Sequence, residues 1–240
     1  MNIKNLMDRA LFALSVPKCV CCKERLKYGE MAFCPKCYAE FVDFSTRSCA
    51  NCSRVLSECD CSTPYLKAHF VRRVVKCYRY INRNDANPGN SLIYSLKRDN
   101  RIDVLTVCAD ILEAAIRNSV ENPENCLFTN VPRRKAAIVK YGIDHSGILA
   151  KELSNRFGAE YVDILKSNAK VEQKSLESTE RLKNADFDIV KNIDLNGREV
   201  IIVDDIITSG ASMSSAATLI RSLGCRSIIA AALAIAYKDL

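Results

Sequence analysis

Nine of the thirteen cysteines of this 240-residue chain fall in its first 61 residues, and eight of the nine come in pairs. The pairs are Cys19-x2-Cys22, Cys34-x2-Cys37, Cys49-x2-Cys52 and Cys59-x-Cys61, with Cys21 left over. Two thiols this close on a tight turn can face one tetrahedral ion, and two such pairs complete a closed structural site. Four pairs therefore predict two zinc ions. Disulfides would need an oxidising compartment, and an iron–sulfur cluster is the remaining reading. Residues 1 to 16 carry Asp8 inside a mixed helical pattern, unlike a secretion signal, and no apolar run reaches the roughly 18 residues that span a bilayer. The expectation is a cytoplasmic protein with no integral membrane segment, in which zinc is favoured over disulfides. Whether the pairs are used consecutively or cross-braced is not encoded in their spacing.

About 60 residues with few aliphatics cannot build a self-sufficient core, so metal binding has to contribute folding free energy. Residues 1–65 carry nine basic against seven acidic side chains. Eight thiolates on two Zn2+ turn that surplus into a deficit, which argues against a basic nucleic-acid clamp there. After Pro64 the cysteine density falls, and the expected division is a zinc module at 1–65 and a second domain at 66–240. Cys77, Cys108, Cys126 and Cys225 lie in apolar surroundings and read as core residues.

The second domain reads as alternating strands and helices. Val71 to Tyr80, Cys126 to Val131, Tyr161 to Leu165, Val200 to Val203 and Ser227 to Ala236 have strand composition. Ser91 to Lys97, Asp103 to Ile116, Ser146 to Phe157 and Ala211 to Leu223 have helical spacing, the last closed by Gly224. This order predicts an α/β fold with a mostly parallel sheet and flanking helices. Ser167 to Asp188 is polar and reads as a loop.

The chemistry concentrates at Val200 to Ser212, Val-Ile-Ile-Val-Asp-Asp-Ile-Ile-Thr-Ser-Gly-Ala-Ser. Here an apolar strand delivers Asp204 and Asp205 to the sheet edge where open α/β sheets bind ligands. Such carboxylates can accept hydrogen bonds from vicinal sugar hydroxyls. Thr208, Ser209 and Ser212 offer hydroxyls, Gly210 permits close backbone approach, and the helix beginning at Ala211 turns free N–H groups toward an anion. A ribose 5-phosphate suits this set. No GxxxxGK[ST] or GxGxxG run is present.

This stretch resembles the 5-phosphoribosyl 1-diphosphate (PRPP) signature of type I phosphoribosyltransferases. Upstream, Val131-Pro132-Arg133-Arg134-Lys135 leading to Tyr141-Gly142-Ile143-Asp144-His145-Ser146 is similar to the diphosphate region of the ComF branch. Gln173-Lys174-Ser175-Leu176 with Arg181 and Asn184 to Phe187 resembles that family's hood. With the cysteine pairs, the likeness to the ComF/ComFC family covers nearly the whole chain. It implies a type I phosphoribosyltransferase-like domain behind a zinc module, PRPP bound with magnesium, and a part in natural competence. The site it implies places Asp204 and Asp205 on the ribose, Thr208 to Ser212 with Ala211 on the 5-phosphate, Arg133 and Lys97 near the diphosphate, and Lys174 or Arg181 in the hood. The acceptor and the catalytic residues stay unassigned, as does activity itself. Met1 is followed by Asn2, not by the nucleophilic cysteine of a glutaminase half.

Residues 66–140 hold 14 basic against seven acidic side chains. Arg72, Arg73, Lys76, Arg79, Arg83, Lys97, Arg98 and Arg101, near Tyr78, Tyr80 and Tyr94, form a pattern compatible with single-stranded DNA. The competing reading is therefore a non-enzymatic DNA-import factor working with a competence helicase, peripheral at the inner face of the membrane. A base-salvage transferase is a third. His145 reads as a ligand contact or a helix-start cap, and His69 as neutral packing.

Overall fold

Val200 to Val203 are wholly buried, and a run that is apolar on both sides belongs in a strand covered on both faces. The computed structural model, which describes residues 16–49, 51–81, 87–168 and 187–236, sets them in the middle of a five-stranded sheet. Its strands are β1 (Val71–Arg79), β2 (Leu127–Asn130), β3 (Glu160–Tyr161), β6 (Glu199–Ile207) and β7 (Ser227–Ile235). Their spatial order is β1-β7-β6-β2-β3, and every neighbouring pair is parallel. A separate antiparallel pair joins β4 (Leu165–Ser167) to β5 (Phe187–Ile189). The helices are α1 (Pro35–Ser45), α2 (Pro64–Lys67), α3 (Pro88–Arg98), α4 (Ile102–Ser119), α5 (Lys135–Tyr141), α6 (His145–Phe157) and α7 (Ala211–Arg221). The α/β class and the parallel sheet are as the sequence predicts. No described helix is long and apolar enough to cross a membrane.

Strand alternation divides the core cleanly. Ile201, Val203, Ile229, Ala231 and Leu233 face one apolar cluster shared with α1, α3, α4 and α6. Val200, Ile202, Ile228, Ala230 and Ala232 face another, shared with Leu66 of α2 and Met213, Ala216, Ala217 and Ile220 of α7. The first cluster also takes in Cys19, Leu26, Phe33, Cys37, Phe41 and Phe44. Phe41 meets Tyr78 edge-on at 5.5 Å, so apolar contact runs from the cysteine-rich segment into the sheet. Gly89 permits this closeness, because a Cβ there would stand 2.6 Å from the Phe44 ring and 2.7 Å from Tyr78.

Several boundaries differ from the sequence reading. β6 does not stop before the carboxylates but runs through Asp204 and Asp205 to Ile207, because β7 pairs with it as far as Ile207↔Ile235. On its other side β2 follows only to Asn130↔Val203. The expected strand from Tyr161 to Leu165 is two short strands, β3 and β4, in different sheets. The two ends of the expected loop from Ser167 to Asp188 belong to β4 and β5, while residues 169–186 lie outside the described residues. The basic stretch after Pro132 opens α5, which was not expected from its composition.

The chain leaves β2 outward, through α6 to β3, and leaves β6 in the opposite direction, through α7 to β7. Where connections part in this way, the strand ends enclose a crevice.

Candidate functional site

The carboxylates sit at that parting. Asp204 Oδ1 accepts from Ser146 Oγ at 3.0 Å and from the Asp205 backbone N–H at 2.8 Å. Burial, with the neighbouring Asp205 charge, pushes the Asp204 carboxyl up to about 7. Asp205 instead holds two cations: Lys97 Nζ at 3.1 Å on Oδ1 and Arg133 Nη2 at 3.7 Å on Oδ2. Lys97 comes from the last turn of α3, Arg133 from the segment between β2 and α5. Two cations thus share one carboxylate, leaving positive charge over for an anion.

His145 lies beside Arg133 at the start of α6. The helix is capped by Asp144, whose Oδ1 accepts from Gly147 N at 3.2 Å. Asp144 Oδ2 takes the Asn130 amide at 3.2 Å and the Arg133 backbone N–H at 3.4 Å. Asn130 is steadied in turn by the Tyr161 hydroxyl at 2.9 Å. His145 is therefore neither exposed nor the cap itself; its ring is 1% exposed and contacts Arg133 and Asn100.

Thr208 and Ser209 are exposed on the bend after β6, and Gly210 begins α7 with φ +84°. That left-handed backbone favours glycine, and a Cβ there would lie 2.9 Å from Leu66 Cγ and 3.2 Å from Thr63 Oγ1. Ala211 is buried and Ser212 is exposed in the first turn. Gly210→Ala is expected to cost roughly 1–3 kcal/mol through backbone strain and this clash. Thermal denaturation checks it, and an unchanged midpoint contradicts the packing described.

The cysteine pairs are used consecutively. Cys19, Cys22, Cys34 and Cys37 form one cluster and Cys49, Cys52, Cys59 and Cys61 a second, each with its sulfurs within 4.8 Å of one another. The Cys22–Cys34 sulfurs are 3.8 Å apart and Cys52–Cys59 3.5 Å, matching the edge of about 3.8 Å that a tetrahedron with Zn–S of about 2.3 Å requires. The two knuckles repeat one geometry. Cys19 N donates to Glu24 O at 2.8 Å and Cys49 N to Arg54 O at 2.7 Å, while Lys23 and Ser53 both have left-handed φ. Burial raises the Cys19 and Cys49 thiols, but backbone N–H donors outweigh it and bring each to about 7. Both sets fit zinc. Lys76 of β1 is fully buried behind the second cluster, its ammonium on the carbonyls of Cys59 and Val74.

Of the site residues read from sequence, the structure brings together Asp204, Asp205, Arg133 and Lys97, with Thr208 to Ser212 at the same strand end. Lys174 and Arg181 lie outside the described residues. Sequence reasoning passed over Ser146, Asn100 and Asn130; the Ser after His145 was its only signal for the first. Within the basic pattern read as compatible with single-stranded DNA, Arg72, Arg73 and Arg98 are exposed, and several members have partners inside the chain. Lys76 and Tyr78 are buried, Arg72 pairs with Glu199 at 3.0 Å, Arg73 with Asp60 at 3.5 Å, and Arg101 with Asp103 at 2.6 Å. Arg83 is not among the described residues. His69 packs on Tyr65, as expected, with Nδ1 2.7 Å from the Tyr65 carbonyl.

A ribose-phosphate pyrophosphokinase of Pyrococcus abyssi is 36% identical over 84 residues, which is 35% of this chain and 25% of that protein. Ribose-phosphate pyrophosphokinase 2 of Archaeoglobus fulgidus is 49% identical over 41 residues, 17% of this chain and 15% of that protein. The chain thus spans a quarter or less of the curated relatives it matches. Among solved structures, purine phosphoribosyltransferase from Pyrococcus horikoshii has a TM-score of 0.36 at 16% identity, covering 56% of this chain and 82% of that one. Adenine phosphoribosyltransferase from Saccharomyces cerevisiae has 0.37 at 18%, covering 55% and 71%. Residues 136–239, from α5 through β6 and α7, match the phosphoribosyl transferase domain.

Proposed function

We propose that this chain binds PRPP in the crevice between β2 and β6 and transfers its phosphoribosyl group to an acceptor, as a ComF-type protein with zinc in both cysteine clusters. The observation that carries this reading is the meeting of Asp204 and Asp205 with Lys97 and Arg133 at one strand end. A ribose diol needs acceptors, a diphosphate needs cations, and a 5-phosphate needs a helix N-terminus; here these lie side by side. Asp205 and Asp204 receive the ribose hydroxyls, Lys97 and Arg133 hold the diphosphate, and Thr208 to Ser212 cradle the 5-phosphate. Magnesium entering with the substrate would supply neutralisation of the diphosphate charge beside Lys97 and Arg133.

Diphosphate departure leaves positive charge on C1 and the ring oxygen, as in glycoside chemistry. The residues of this site therefore act by holding the leaving group and the sugar. A division into a zinc module at 1–65 and a transferase domain at 66–240 belongs to the same proposal, as does a part in natural competence.

Calorimetric titration with PRPP and Mg2+ tests the site. Wild type is expected to bind, and the Asp204→Asn/Asp205→Asn double variant to bind at least about tenfold more weakly. Equal affinity in both rejects the assignment. Binding with no diphosphate released across a panel of bases and amines rejects the transferase activity while leaving the binding site standing.

A further inference from the structure

We infer that His145, held by Asn100, is a positioning residue that aims the Arg133 guanidinium into the crevice; this rests on the PRPP reading above. A guanidinium offers donors only, so whatever steadies it must accept. Asp205 pairs with it as an ion from one side, at 3.7 Å. From the other side Arg133 Nη1 meets His145 Nδ1. That nitrogen can accept only if the proton of the neutral ring sits on Nε2, and Nε2 faces an acceptor, Asn100 Oδ1, at 2.9 Å. Both ring nitrogens are thereby assigned, and the hydrogen-bond order runs His145 Nε2–H to Asn100 and Arg133 to His145 Nδ1.

The surroundings keep this arrangement in place. His145 is almost wholly buried. The charges facing it are Arg133 from the β2–α5 segment, Lys97 from α3 and Asp205 from β6. Burial and then the Arg133 charge hold the imidazole down to about 4, so it stays neutral. Asn100, between α3 and α4, takes a left-handed φ of +48° that few side chains adopt. Gly142 lies against it, with room for a Cβ only 3.4 Å from Asn100 Nδ2.

An arginine left to itself loses much rotamer freedom when it grips a ligand, and preorganisation removes that loss. The benefit falls on the part of the ligand that Arg133 meets. His145→Phe is accordingly expected to weaken PRPP–Mg2+ binding roughly tenfold while leaving ribose 5-phosphate, which lacks the diphosphate, unaffected. His145→Gln, which keeps an acceptor and a donor, is expected to stay within about threefold of wild type. Asn100→Ala should act as His145→Phe does, and the double variant should be no worse than either, because both break one chain of contacts.

The inference is overturned if His145→Phe binds PRPP as wild type does, or if it weakens both ligands equally. Should wild type bind no PRPP, the reading of the site itself fails. Imidazole 15N–1H correlation spectra at pH 7 give a test that needs no ligand and no variant. They should show His145 protonated on Nε2 alone; a proton on Nδ1 overturns the inference even where PRPP binds.

Discussion

Stripping metal from the folded protein with a strong chelator is expected to lower its melting temperature by more than about 10 °C. Structural zinc contributes about 10–16 kcal/mol of apparent binding free energy in small zinc-finger peptides, and a chain of this length shifts by roughly 2–4 °C per kcal/mol. The effect should not stop at residue 65. Phe33, Phe41 and Phe44 are packed into the same cluster as Tyr78, Leu92 and Ile229, so losing the first knuckle pair exposes sheet residues as well. Lys76 supplies an internal control. Behind a zinc tetrathiolate, which carries two net negative charges, its buried ammonium is compensated; without metal it is a buried cation whose named acceptors are two carbonyls. Lys76→Met should therefore destabilise the zinc-loaded protein by about 1–3 kcal/mol and stabilise the stripped one, a reversal of sign that follows from leaving a charge unpaired. Differential scanning calorimetry with and without zinc measures both. The same sign in both conditions would remove the coupling between Lys76 and the second cluster.

Asp204→Asn is expected to make the ligand-free protein more stable at pH 8 while weakening its grip on PRPP. The Asp204 carboxyl stands near 7 in the folded chain against an ordinary 3.8. A raised carboxyl favours folding only while protonated: its contribution is complete below about pH 4 and disappears as pH rises through 7. Wild type should lose stability from about pH 4 to pH 7 on this account, with nothing further lost by pH 8, and the asparagine variant should not. Asparagine keeps an oxygen to accept from Ser146 and from the Asp205 N–H, so the gain is about 1–3 kcal/mol, or several degrees in melting temperature at pH 8. Thermal melts across that range measure it. A variant that is less stable than wild type at pH 8 would mean that Asp204 is not the strained member of the pair. Such a trade between stability and binding is what a carboxylate held for a ligand's hydroxyls produces.

Much of the fold could be read from local pattern. β6 and β7 are nearly continuous apolar runs, which only a doubly covered strand accommodates, and α7 is framed by Gly210 and Gly224. What escaped was set by partners. The length of β6 beyond Val203 depends on β7, which keeps pairing after β2 has turned away. The two strands β4 and β5 are three residues each and stable only against one another. α5 begins in the middle of a basic run with no apolar stripe to announce it. In β1, sequence alternation does not tell a buried lysine from an exposed one: Lys76 and Tyr78 both turn inward, while Arg72 and Arg73 are exposed.

The chain's order of residues was enough to specify the four cysteine pairs and the acid-hydroxyl-glycine turn, since each is made within a few residues and short-range geometry closes it. The consecutive use of the cysteine pairs, and the gathering of Lys97, Asn100, Arg133 and His145 around Asp205, came only with the folded chain. Asp205 meets residues 72 and 108 positions away because β2 lies against β6 and α3 is packed across the sheet, and ion-pair partners at such separations are chosen by strand order and helix packing, which no local periodicity records.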